Sequence, residues 1–152
     1  MRTALVTGAA RGIGAAVVDR LAADDGWQVV AADIPGATYS FGKAEHLRAL
    51  AARWPGTVLP VVADVRRQDD MDRAADLRGT ANAMSPGPTR TAMLRASADL
   101  YALTEVDEFA RHQMVDRILE PHEIASAVCR LCGEGAYAVN GSVVHSDKRI
   151  TA

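Results

Sequence analysis

The chain has 152 residues, 49% of them hydrophobic, with seventeen basic and nineteen acidic side chains and a formal charge of −2. That length is enough for one domain, residues 1–152, with a real core. The mixed, scattered charge gives no expectation of a nucleic-acid or anionic-membrane partner, and no apolar run reaches the ~20 residues of a membrane span.

The first strand is predicted over Thr3–Thr7, around Ala4-Leu5-Val6, with no room ahead of it for a secretory leader, so a cytoplasmic protein is expected. It runs into Thr7-Gly8-Ala9-Ala10-Arg11-Gly12-Ile13-Gly14 and then a helix from about Gly12 to Ala23, with Ile13, Ala16, Val17 and Leu21 on one face. A strand, a glycine-rich turn and a helix in that order form a phosphate-binding arrangement. Glycine lets the backbone turn tightly and approach the ligand, and the helix offers unpaired N–H groups and a positive dipole end to a pyrophosphate. The spacing Gly-x-x-x-Gly-x-Gly differs from the commoner Gly-x-Gly-x-x-Gly.

A second strand is expected over Gln28–Asp33, nearly all apolar as in a strand buried on both faces. After a loop from Ala37 to Gly42, Lys43–Trp54 reads as a helix with Leu47, Leu50, Ala51 and Trp54 at helical spacing. A third strand covers Thr57–Ala63 and ends at Asp64-Val65, and Gln68–Leu77 is a mostly polar helix. A fourth strand is predicted over Thr80–Met84, closed by a Ser85-Pro86-Gly87-Pro88 turn. One or two short helices follow between Ala92 and Val115, then a helix over Pro121–Cys132 with proline in its first turn, then a last strand over Gly141–His145. Cys129 and Cys132 lie inside that helix with no second ligand pair, so they read as small apolar residues and not as a zinc site. Strands alternating with helices imply βαβ units and parallel pairing, with a ligand crevice at the carboxyl ends of the strands.

Taken together, several stretches resemble the short-chain dehydrogenase/reductase family. They are the turn from Thr7 to Gly14, Asp33 closing the second strand, Asp64-Val65 after the third, Asn82-x-x-Ser85-Pro86-Gly87-Pro88-Thr89-Arg90-Thr91, and Arg117-Ile118-Leu119-Glu120-Pro121-x-Glu123-Ile124-Ala125. The resemblance implies a Rossmann-like α/β/α fold and a nicotinamide dinucleotide held by Gly8, Arg11, Gly12, Ile13 and Gly14. It gives Asp33 the adenosine ribose, Asp64 and Val65 the adenine, and Pro86, Gly87, Thr89 and Thr91 the nicotinamide side. A carboxylate at Asp33 accepts ribose hydroxyls and repels a 2′-phosphate, so NAD is expected over NADP.

The family chain is roughly 250 residues, so this one is shorter by about a hundred. The resemblance places the missing part near Ala74 to Thr80, where the family holds its catalytic asparagine, serine and Tyr-x-x-x-Lys segment. A reduced parallel sheet of about five strands is therefore expected, in the order 3-2-1 and then the two C-terminal strands, with domain swapping as the alternative. Family chemistry needs a tyrosine as general acid/base, a lysine to lower its pKa and a serine to orient the carbonyl. Tyr39-Ser40-Phe41-Gly42-Lys43 has that spacing but follows the second strand, on the adenosine side, and is read as coincidence. Ser85, Tyr101 and His112 are the other candidates, each with a plainer reading as a turn cap or a side chain on a covering helix. His145 in the last strand suits an interface. Three functions stay open: an NAD-dependent oxidoreductase on a small-molecule substrate with a non-standard proton donor, a non-catalytic binding protein, and a non-redox enzyme reusing the cleft. The last helix and last strand are expected to form a homodimer contact.

Overall fold

In the computed structural model, described over residues 2–24, 26–34, 44–74 and 82–146, the chain divides into two compact units, Met1–Gly79 and Thr80–Ala152. The first unit is built on three parallel strands, β1 (Arg2–Thr7), β2 (Trp27–Asp33) and β3 (Val58–Val62), with β2 in the centre. The apolar run of β2 explains its place, because Trp27, Val29, Ala31 and Ala32 are all buried. The register sets Thr7 beside Ala32 and Asp33 beside Val62, so the carboxyl ends of the three strands lie together.

Helix α1 (Gly12–Ala22) buries Val17, Val18 and Leu21, and α2 (Ala44–Ala52) buries Leu47, Leu50 and Ala51, both at the spacing of a helical stripe. Asp19 on α1 accepts from Trp54 Nε1 at 2.8 Å and from Arg53 Nη2 at 2.9 Å, tying the chain after α2 to α1. Helix α3 is described over Gln68–Ala74. The loop holding Tyr39 and Lys43, the stretch from Ala75 to Ala81 and the tail from Asp147 lie outside the described residues.

The second unit carries the parallel pair β4 (Ala83–Pro86) and β5 (Val143–Ser146), with α4 (Ala92–Leu100), a 3₁₀ helix (Val106–His112), α5 (Pro121–Cys132) and a short 3₁₀ turn (Glu134–Ala136) between them. Three parallel strands in the expected order and a second parallel pair, five strands in all among the described residues, match the reduced Rossmann-like fold. They are hydrogen-bonded as one sheet of three and one of two. Among the described helices none is long and apolar enough to cross a membrane.

One boundary is corrected. Ser85 and Pro86 are the end of β4, not a turn. Ala83 donates its N–H to Ser142 O at 2.9 Å and Gly87 to Ser146 O at 3.1 Å. Strand residues alternate, so the donors facing β5 fall at odd positions, and the missing N–H of Pro86 is on the other side.

Helix α5 follows its sequence signals closely. Pro121 occupies the first turn, and Glu120 and Glu123 form a reciprocal capping box. Ile124 and Ala125 are buried, while Cys129 and Cys132 are half-buried and not joined in a disulfide, with burial pushing the Cys132 thiol up. Arg117 bonds the Glu123 carboxylate twice, with Nη1 on Oε2 at 2.8 Å and Nη2 on Oε1 at 2.5 Å, and the Glu120 N–H adds a third bond at 2.8 Å. These hold Glu123 down at about 2, against an ordinary 4.5. A carboxylate with a depressed folded pKa adds stability above its unfolded value and loses it as pH falls through the folded one. Glu123→Gln is therefore expected to be less stable than the parent at about pH 6, with the gap narrowing by about pH 3, as urea unfolding measures. A pH-independent gap would contradict this.

Candidate cofactor site

The first unit gathers its chemistry at the carboxyl ends of β1, β2 and β3. After β1, Gly8 and Gly12 take φ +64° and +54°, the left-handed region open to glycine. Ala9 is fully buried and donates its N–H to Ala32 O at 3.1 Å. Ala10 donates its N–H to Asp33 Oδ2 at 2.8 Å. Gly14 faces the turn so closely that a Cβ there would stand 2.2 Å from Gly8 O. The third glycine is thus required by the packing of α1 on its own turn. Arg11 is the extended N-cap residue, and its side chain makes no capping hydrogen bond. Nothing acidic lies in the first turn either, so its orphan N–H groups and positive dipole end suit an anion.

Asp33 closes β2, and its other oxygen, Oδ1, accepts from Ile34 N–H at 2.8 Å. Asp64, just past β3, receives a fork from Arg66: Nε to Oδ1 at 2.9 Å and to Oδ2 at 3.1 Å, and Nη2 to Oδ2 at 2.7 Å. The Arg66 side-chain and backbone bonds hold the Asp64 carboxyl down at about 2, against an ordinary 3.8. Val65 beside it is 59% exposed. The structure therefore brings Gly8, Arg11, Gly12, Ile13, Gly14, Asp33, Asp64 and Val65 to one end of one unit.

In the second unit, Pro86 ends β4 and Gly87 follows, where a Cβ would meet Gln113 Oε1 at 2.7 Å. Thr89 is buried and donates its hydroxyl to Gly87 O at 2.8 Å, and Thr91 caps α4 by accepting from Leu94 N–H at 3.3 Å. Two residues to which the sequence pattern gave no role organise this segment. Gln113, fully buried, donates to Pro88 O at 3.0 Å and to Arg117 O at 2.8 Å. Arg90 donates to Glu120 and to Asp107, both at 2.9 Å. A polar residue between two loop stretches carried no periodic signal that marks it as an anchor.

The catalytic candidates scatter. Tyr101 ends α4, is 67% exposed and meets Phe109 edge-on at 6.4 Å. Ser85 lies inside β4 and not in a turn, and the register sets it beside His145 of β5, both of them exposed. The backbone of His112 ends the 3₁₀ helix, and its side chain lies outside the described residues, as do Tyr39 and Lys43. Three tyrosines and two lysines are present in the whole sequence, and Tyr39 with Lys43 is the one pair at Tyr-x-x-x-Lys spacing. Among the described residues no cluster of three or more His, Cys, Asp or Glu side chains stands ready for a metal.

A family model described as short chain dehydrogenase matches residues 2–77, and one described as Enoyl-(Acyl carrier protein) reductase matches residues 74–150. A short chain dehydrogenase/reductase, astE, of Aspergillus oryzae is 33% identical over 70 residues, or 46% of this chain and 27% of that relative. The chain thus spans about a quarter of the length of that curated relative. Among solved structures, a short-chain dehydrogenase/reductase (glucose/ribitol dehydrogenase) from Brucella melitensis is similar at TM-score 0.75 and 18% identity, over 99% of this chain and 97% of that one. L-sorbose reductase from Gluconobacter frateurii, complexed with NADPH and L-sorbose, reaches 0.73 at 15% identity over 97% and 95%. An actinorhodin polyketide ketoreductase with NADPH reaches 0.73 at 16% over 97% and 96%. The structural likenesses, at such identities, are of fold. The two family models divide almost the whole sequence between them, and by them the chain belongs to the short-chain dehydrogenase/reductase family.

Proposed function

We propose that this chain binds a nicotinamide dinucleotide, NAD in preference to NADP, as a shortened oxidoreductase of its family whose usual Ser-Tyr-Lys residues are missing. The observation that carries the reading is the bond from the Ala10 N–H to Asp33 Oδ2, which joins an anion-binding turn to a ribose-binding carboxylate. The donor set fits the cofactor. Glycines 8, 12 and 14 leave the turn without side chains, and the start of α1 provides N–H groups for a pyrophosphate. Each oxygen of Asp33 accepts one backbone bond and keeps a lone pair for a ribose hydroxyl. Against a 2′-phosphate the same carboxylate sets like charges together. Two of the structural neighbours were solved with NADPH, and Asp33 is the residue on which this chain's preference turns. By family resemblance Asp64 and Val65 serve the adenine, and Pro86, Gly87, Thr89 and Thr91 the nicotinamide side.

When bound, the nicotinamide ring supplies or accepts a hydride. Moving a hydride to or from a carbonyl also needs a placed proton donor. The residue inventory favours binding without family-type turnover, since the one Tyr-x-x-x-Lys pair follows β2 and Tyr101 packs on Phe109. Tyr101, His112 and Ser85 remain the donors to test if turnover is found. The same reading makes the protein cytoplasmic and a homodimer through α5 and β5.

Titration calorimetry tests it. NAD⁺ is expected to bind more tightly than NADP⁺. Asp33→Ala is expected to weaken NAD⁺ about tenfold, the scale of one charged hydrogen bond, and to narrow the preference. Equal affinity for the two dinucleotides in the parent, or an unchanged ratio in the variant, would contradict the assignment. Gly14→Val drives a branched side chain into Gly8 O and is expected to abolish binding and lower the unfolding temperature. Parent-like binding in this variant would remove the turn from the site.

A further inference from the structure

We propose that Arg66 is the residue that recognises the adenine base, offering the flat face of its guanidinium as a stacking surface held in place by Asp64. The inference rests on the reading of the first unit as a dinucleotide site and adds a residue to it. Along the carboxyl ends of the strands, the turn after β1 suits the pyrophosphate and Asp33 after β2 suits the ribose. The base then falls beyond β2, on the side of β3. Ala63 donates its N–H to Asp33 O at 3.1 Å, so Asp64, Val65 and Arg66 begin one residue past that contact. Neighbouring strands lie about 4.8 Å apart, close to the reach from a ribose to the centre of its base.

The Asp64–Arg66 pair is unequal. The Asp64 side chain is 14% exposed and that of Arg66 78%. Asp64 is itself fixed, because its N–H donates to Asp70 Oδ2 at 2.9 Å, and Asp70 in turn pairs with Arg73. Its two oxygens take the Nε–Nη2 edge of Arg66 and, at 3.0 Å, the Arg66 N–H. A guanidinium gripped along one edge by a carboxylate has its plane set and its charge partly balanced, while both faces stay open. Weakly hydrated and planar, such a group stacks on a base, which a point charge does not. Exposed Val65 supplies an apolar neighbour. Asp64, given to the adenine by the resemblance, serves it here by positioning Arg66, which its oxygens hold. Asp33, Val65 and Arg66 then discriminate a purine nucleotide by ribose hydroxyls and ring face together.

The test is calorimetric titration of NAD⁺ into the whole chain as parent, Arg66→Ala, Arg66→Lys and Asp33→Ala, with unfolding temperatures checked for each. Arg66→Ala is expected to weaken NAD⁺ about tenfold, the scale of one stacked base. Arg66→Lys, which keeps the charge and loses the plane, is expected to be weakened as much. Parent-like affinity in Arg66→Lys would mean a charge contact to phosphate and would overturn the stacking role. Parent-like affinity in Arg66→Ala, with Asp33→Ala weakened, would reduce the pair to a surface ion pair and overturn the proposal while the cofactor reading stood. Failure of the parent itself to bind NAD⁺ would overturn both.

Discussion

Ala10 donates its backbone N–H to the side chain of Asp33, and through that 2.8 Å bond the turn after the first strand is held against the end of the second. The bond is possible because three glycines have already shaped the turn. Two of them adopt left-handed φ values, and the third leaves α1 free to sit on Gly8 O, where a Cβ would stand at 2.2 Å. A turn of this kind orders several unpaired N–H groups before any ligand arrives, so an incoming anion meets donors already in place. The apolar β2 at the centre of its sheet supports the arrangement from below, since Val29, Ala31 and Ala32 are buried beneath the carboxylate they lead to.

The second unit obeys a different constraint. Its residues 86–120 contain two short helices and much irregular chain, whose backbone groups must find partners. Gln113 supplies two of them from a fully buried side chain, and Arg90 joins the capping residue Glu120 to Asp107. Exposed ion pairs of this sort are individually weak. Glu120 serves the network twice, as a partner of Arg90 and as the cap of α5. The N-terminus of α5 is therefore fixed by charge and capping together, which is why its start is so well defined.

Much of this was legible in the sequence where a residue type has one local use. The start of α1, the Asp33 terminus of β2 and the start of α5 were readable from the glycine turn, the apolar run and the first-turn proline, because those signals act through their own backbone neighbours. The end of β4 was not. Ser85-Pro86-Gly87-Pro88 reads as a turn, and only pairing with a strand some sixty residues later shows that the proline nitrogen is on the side away from β5. Asp33, Asp64 and Val65 were each predicted for the cofactor, but the Ala10–Asp33 bond and the Arg66 fork depend on side-chain directions that no spacing encodes. Gln113 was silent for the same reason, being a polar residue in a stretch without periodicity. The two family models meet at residues 74–77, near the place where the sequence led us to expect the family's catalytic segment.

The central claim is that the turn from Gly8 to Gly14 and the carboxylate of Asp33 form one preorganised dinucleotide site. Backbone amide shifts recorded while NAD⁺ is added to the isotope-labelled chain test it most directly. The account predicts that the amides of Ala10, Gly12, Ile13, Gly14 and Ile34 move together, saturating along one binding curve. Saturable binding that leaves those amides unmoved, and shifts others instead, would contradict it.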